Sequence, residues 1–462
     1  MTQQFPTFKK VGKALIMLPI NIVKRTWKWS LAILLLLAVV HSFATFIYGR
    51  QVENEIAKIK AKGDPVSCAE LAGKPIPDAE NGAVIYEKAF KRMGGLSNIS
   101  RTVDYGDILK PENQNDPKAW ERAREVVQKN KDIYLLTQEA AAKPQCRFKA
   151  NWQDGVNALF PYLGRVRQLA KFLAVSAMLS AKDGNADQAL ESIKMIYRVS
   201  DSIKDDPTLI HQLVRIATIG IADNALKEVA DYSTIDASQA KMLNSEISNI
   251  DLHSGLITAF NGERLCALSA FDSIKKQDFH DLGWSPDSFL IQLRTTYLGR
   301  PLLYMDEANM LRRMNKLIDL YSMQSYIKIR REHLDFAPNE NATIDITKAT
   351  NLVDILMPVY YGARDRMNKG QTSLAGSQLL LALRAYNHQF GSYPQTLAEL
   401  KNKLDFKVPT QDPFSGKDFI YKRQGNGFLL YSIGENMKDD GGTVPKKSYD
   451  HEHGDIVWKM SH

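Results

Sequence analysis

From Ser30 to Tyr48 the chain reads SLAILLLLAVVHSFATFIY, nineteen residues without Asp, Glu, Lys or Arg. At about 1.5 Å per residue, such a helix spans roughly the ~30 Å hydrocarbon core of a bilayer. Trp27 and Trp29 stand at one end and Tyr48 at the other, where interfacial aromatics sit. Six Lys/Arg precede the span, whereas the flank after it mixes Arg50 and Lys58 with Glu53 and Glu55. The positive-inside rule then predicts a single-pass anchor in the cell inner membrane, with residues 1–29 cytoplasmic, 30–48 spanning and 49–462 extracytoplasmic, in the periplasm. A cleaved signal peptide ending at Ser42-Phe43-Ala44 and a buried core helix are the alternatives. Residues 5–23 mix Lys with Leu, Ile and Met, which suits either an amphipathic interfacial helix or a basic tail.

The net charge of +8 bears on partners only through its location. Residues 1–50 carry seven Lys/Arg and no acid, so the remaining chain is almost neutral. A nucleic-acid binder spreads basic residues over its folded surface, so no nucleic-acid partner is expected. The three cysteines are Cys68, Cys146 and Cys266. Outside the cytoplasm a disulfide is permitted, and two loop positions, Cys68 and Cys146, are the expected pair. Cys266 lies in an apolar helical run as a small core residue.

Between residues 49 and 370 helical punctuation recurs. A helix leaves the membrane at 49–62. Asp78 is placed to cap a helix to about Met93. Asp116-Pro117 and Asp206-Pro207 each set a capping Asp before Pro, opening helices to about Ala142 and Tyr232. Leu159, Leu163, Val166, Leu169 and Leu173 form one apolar stripe; Leu190, Ile193, Ile196, Tyr197 and Ile203 form another after Asp183-Gly184-Asn185. Further helical runs cover 236–250, 252–276, 302–333 and 345–368. The fold class is mainly α: a helical bundle or irregular α-solenoid, with no sheet of more than two strands over 79–368.

Residues 371–462 read as a small α+β module. A helix over 371–390 ends at Gly391, where a left-handed residue follows the last turn, and Pro394 blocks continuation. A short helix covers 397–404. Phe419–Tyr421 and Phe428–Ser432 are strand-like, with Gln424–Gly427 as the antiparallel hairpin turn. The order of YP turn, Asp412-Pro413-Phe414, Tyr431-Ser432, Asp439-Asp440-Gly441-Gly442 and Asp455-Ile456 before Trp458 resembles the C-terminal half of the major pseudopilins of type II secretion systems. The chain lacks the leader, Gly cleavage site and early Glu of those proteins, so the likeness covers about 80 residues. It implies Ca²⁺ held by Asp439, Asp440 and Asp455, since a hard cation takes oxygen ligands. Tyr393, Phe414 and Tyr431 are expected to be buried.

Other candidate groups carry less chemistry. His451-Glu452-His453 with Asp455 or His462 is a set of metal-ligating types without supporting partners. Tyr421, Phe428 and Tyr431 suit a sheet core. His211 and His253 lie in helical runs, and Glu263 with Arg264 suggests a buried pair. There is no G-x-S-x-G, HExxH, Walker A or Rossmann glycine pattern. The expectation is a non-enzymatic adaptor or assembly component of the cell envelope with a protein partner there, linked to secretion or pilus-type machinery. The alternative is an extracytoplasmic hydrolase or ligand-binding protein with a site between helices.

Overall fold

The computed structural model describes residues 8–71, 73–94, 116–276, 289–322, 352–444 and 454–460. Helix α1 runs Phe8–Ala61, unbroken through Pro19, the apolar span and the segment beyond it. It is long and apolar enough to cross a membrane, and its most apolar window is unburied by the rest of the chain. A short helix α2 (Cys68–Leu71) and helix α3 (Gly82–Arg92) follow. Helix α3 is capped by Asn81, whose side chain accepts from Ala83 N at 3.1 Å; Asp78 precedes the helix by a turn.

The expected helix over 117–142 is two helices, α4 (Pro117–Lys129) and α5 (Lys131–Ala141). Asn130 leaves helical geometry between them, and its amide donates to Val126 O at 2.8 Å. Asp116 caps α4 as predicted, with Pro117 in the first turn. A 3₁₀ turn, Trp152–Asn157, leads to α6 (Tyr162–Lys182) and α7 (Ala186–Asp201). These two pack as a hairpin across Asp183–Asn185, where Gly184 takes φ 77° and Asn185 caps α7 through Gln188 N. Helix α8 (Leu209–Tyr232) lies against both, and α9 (Ala237–Ser248) opens with an Asp236/Gln239 capping box.

Helix α10 (Leu252–Lys276) packs on α12 (Arg300–Tyr321), which is preceded by α11 (Phe289–Arg294). Helix α13 spans Leu352–Phe390, so the expected boundary at 370/371 falls inside one helix. Gly391 ends α13 at φ 71°, and α14 (Leu397–Lys403) has a Thr396/Glu399 capping box. The sheet is β1 (Ile420–Gln424), β2 (Gly427–Ser432) and β3 (Ile456–Met460), antiparallel in that order. Phe428 pairs with Arg423 and Met460, and Leu430 with Tyr421 and Trp458. The third strand extends the expected hairpin, and β2 is the buried central strand.

One hydrophobic core runs from α3 through α6, α7, α8 and α13 into the sheet. Tyr393, Phe414 and Tyr431 are buried, as the sequence predicts. Trp458 fills the space between sheet and α13. A Cβ on Gly376 would lie 2.1 Å from its ring, so only glycine permits this approach. Lys227 of α8 places its ammonium 4.6 Å from the centroid of the same ring and donates to Val457 O at 2.9 Å. Among the described residues of 79–368, the backbone pairing outside helices is a single isolated bridge, Asn81 with Gln145. A smaller apolar seam of Val52, Ile59, Ala308 and Leu311 joins α1 to α12.

Candidate functional site

Three places gather polar chemistry: the seam where α1 meets the folded body, a buried cluster around His211, and the acidic C-terminal loop. The seam follows from helix periodicity. Val52, Glu55 and Ile59 recur at three- and four-residue spacing and share one face of α1, and Lys62 follows just past its end. That face meets α12, where Ala308, Leu311, Asn315 and Asp319 recur likewise. The apolar pairs close the seam and the polar ones flank it. Glu55 is 4% exposed and accepts from Lys58 at 2.8 Å and from Asn315 at 3.2 Å. Lys62 reaches Asp319 at 2.5 Å.

Asn315 also accepts from Arg264 of α10 at 2.8 Å, and Arg264 donates to Asp64 at 3.1 Å and Asn261 at 2.9 Å. Arg264 is 1% exposed, and burial pulls its pKa down, offset by Asp64. The expected Glu263–Arg264 pair does not form. Neighbours on a helix point about 100° apart, so Glu263 instead accepts from Leu209 N at 2.8 Å and from the Tyr360 hydroxyl at 3.4 Å. A cleft of about 500 Å³ opens between α1 and α12, lined by Glu55, Lys58, Lys62, Arg312, Lys316 and Asp319 among others.

At the His211 cluster a neutral imidazole satisfies each member in turn. Thr208 Oγ1 donates to His211 Nδ1 at 2.5 Å, His211 Nε2 donates to the Tyr162 oxygen at 2.8 Å, and Tyr162 donates to Asp206 at 3.1 Å. Asp206 therefore does not cap α8; Thr208 stands at the helix start without a side-chain cap bond. Burial pushes Asp206 up to about 7 and His211 down to about 3. A second buried carboxylate, Asp223, accepts from Tyr197 at 2.6 Å and Ser377 at 3.0 Å, linking α7, α8 and α13, and burial raises it to about 6. Neither carboxylate lines the cleft at α1 and α12. The rings of Trp152 and Phe160 pack against His211, which is 0% exposed. His253 is half-buried and accepts from Arg364 at 3.0 Å.

In the acidic loop the three carboxylates are used by the chain itself. Asp439 accepts from Tyr431 and Gly441 N, both at 2.9 Å. Asp440 accepts from Asn436 and Gly454 N, both at 2.8 Å. Asp455 is 2% exposed and accepts from Gly442 N at 2.7 Å and Asp440 N at 3.4 Å, one on each oxygen. Burial raises the Asp455 pKa, with Asp440 adding to it. Among the described residues no three His, Cys, Asp or Glu side chains are arranged to hold a metal ion. Backbone donors thus take both oxygens of Asp455, whereas Tyr431 and Gly441 N meet Asp439 at Oδ1, and Asn436 and Gly454 N meet Asp440 at Oδ2. His451, Glu452, His453 and His462 lie outside the described residues.

The three cysteines are free thiols. Cys68 lies beside α10, its Sγ 3.9 Å from Leu265 O, so the expected Cys68–Cys146 pairing is not made. Cys146 packs against the main core, and burial raises its pKa, with Asp206 and Asp205 adding to the rise. The pattern that would have revealed the seam is the apolar and polar stripe continuing past Tyr48. The partner helix it meets had no local signal. Comparison with protein-family models, with curated proteins and with solved structures gives no match.

Proposed function

We propose that this protein is a single-pass, membrane-anchored scaffold of the cell envelope, a non-enzymatic adaptor or assembly component. In this proposal its N-terminus is cytoplasmic and its helical body lies in the periplasm. The observation that carries it is the seam: α1 continues from the apolar span into the body, where Val52 and Ile59 pack on Ala308 and Leu311. Glu55 and Arg264 brace the same place through Asn315. An anchor fused to its body transmits position and force, which suits a protein that holds partners near a membrane. The titrating groups are consistent with the same reading, because Asp206 and His211 are bonded through Tyr162, and Asp223 separately to Tyr197 and Ser377, all within the core and away from the cleft. The likeness of residues 371–462 to major pseudopilins supports a partner in secretion or pilus-type machinery.

Reporter fusions after His462 test the topology. A reporter active only outside the cytoplasm should work, and a cytoplasmic one should be silent. The reverse result ends the proposal. Cross-linking in intact membranes with a photoreactive residue at an exposed body position then tests the adaptor role: a discrete adduct with an envelope protein is expected. A small-molecule adduct alone would favour a ligand-binding protein.

A further inference from the structure

The turn between α11 and α12, Thr295–Gly299, carries two large exposed side chains, Tyr297 at 65% and Leu298 at 72%. It does not stand alone in solvent. Its Tyr297 carbonyl accepts from His41 Nε2 at 3.2 Å, and the Tyr297 and His41 rings lie 5.3 Å apart. His41 belongs to the charge-free span, seven residues before Tyr48, which is about 10 Å along a helix. The turn therefore sits beside the apolar part of α1, below the level of its polar continuation. Tyr297 and Leu298 are exposed beside a span whose other faces, including Val40, Phe43 and Phe46, are exposed and apolar as well.

The turn's backbone is prepared for such a place. Thr295 N donates to Gln292 O at 3.1 Å, Thr296 N to Leu293 O at 3.0 Å, Gly299 N to Thr296 O at 3.2 Å and Arg300 N to Tyr297 O at 3.2 Å. The Thr295 and Thr296 hydroxyls donate to Gln292 O at 2.7 Å and Leu293 O at 2.6 Å. Polar groups that bond within their own segment lower the cost of low-dielectric surroundings; the Tyr297 and Leu298 amides at the tip stand outside this set of bonds. A Cβ on Gly299 would lie 2.0 Å from Leu293 O, so glycine lets the turn close this tightly. The cation at the edge of the turn is Arg300, its guanidinium 5.4 Å from the Tyr297 ring. An amphipathic ring beside a cation is the composition of a membrane interface.

We propose that the Thr295–Gly299 turn is a second membrane contact, with Tyr297 and Leu298 entering the outer leaflet of the bilayer that α1 crosses. It rests on the proposed crossing by α1. Two contacts fix the tilt of the body over the membrane, where one helix alone leaves it free to rock.

The test uses nitroxide labels on full-length protein in phosphatidylethanolamine/phosphatidylglycerol nanodiscs. One label each is introduced as Leu298→Cys in the turn, Leu36→Cys in the span and Ser245→Cys on α9, far along the body. Labelled wild-type chain sets the background of the three native cysteines. Power saturation compares collision with oxygen, which concentrates in lipid, and with an aqueous nickel chelate. The expected result is lipid-like accessibility at 36 and 298 and aqueous accessibility at 245. Lipid at 36 with water at 298 overturns the second contact while leaving the anchor intact. Water at 36 overturns both. A label at 298 shielded from both agents points to a protein neighbour on the turn and also overturns the lipid assignment.

Discussion

Asp206 shows how a residue's role is set by what the fold places beside it. Two Asp-Pro steps look alike in sequence, and Asp116 caps its helix while Asp206 is turned inward to Tyr162. Its pKa is raised to about 7 from an ordinary 3.8, so the fold prefers the protonated acid. That contribution to stability is complete below about pH 4 and is lost as the pH rises through 7. His211 runs the other way. Its pKa is lowered from 6.5 to about 3, so its contribution is complete above pH 6.5 and is lost as the pH falls toward 3. Asp206→Asn should therefore flatten the decline between pH 4 and 7 and raise stability at pH 8, on the order of 1–3 kcal/mol. Urea unfolding at a series of pH values checks this. A variant destabilised equally at every pH would show that the hydrogen bonds of Asp206, rather than its ionisation, dominate.

At the scale of elements, the seam between α1 and α12 depends on a helix that arrives from elsewhere in the chain. Arg264 of α10 ties Asp64 and Asn315 together from a site 1% exposed to solvent. Arg264→Met keeps much of the volume and removes the donors. It should cost about 2–3 kcal/mol, below the 3–5 typical of a broken buried pair, because Asp64 remains partly solvated. The same change should broaden distances between labels on α1 and on α9, since the seam is the joint between α1 and the helical body. Stability and distances unchanged from wild type would remove the bracing role. The helix stripes and most caps were legible from spacing alone. The pairing of α1 with α12 was not, because an amphipathic face names its need for a partner and leaves the partner unspecified.

For the whole molecule, the core is continuous from α3 to β3, and α13 carries it across residue 370. A fragment of residues 371–462 would expose the face of α13 that meets α8 and would strip Trp458 of Lys227. It should show no cooperative thermal transition, whereas full-length protein should. A sharp melt of the fragment would establish an independent module. Millimolar Ca²⁺ should leave the melting temperature of the full-length protein unchanged, because both oxygens of the buried Asp455 already accept backbone donors and the described residues present no group of three metal-ligating side chains; binding at a hundredfold excess over Kd would instead add about 2.7 kcal/mol. By itself the sequence determined the apolar span, the helical class, the C-terminal hairpin and the burial of Tyr393, Phe414 and Tyr431. These follow from local periodicity, turn chemistry and hydrophobicity, which act over a few residues. Only the tertiary structure decided that Asp206 faces Tyr162, that Arg264 ties Asp64 to Asn315, that Gly376 admits Trp458 and that Tyr297 sits beside His41. Each of these depends on groups far apart in the chain, and their meeting is fixed by packing, which no short window of sequence contains.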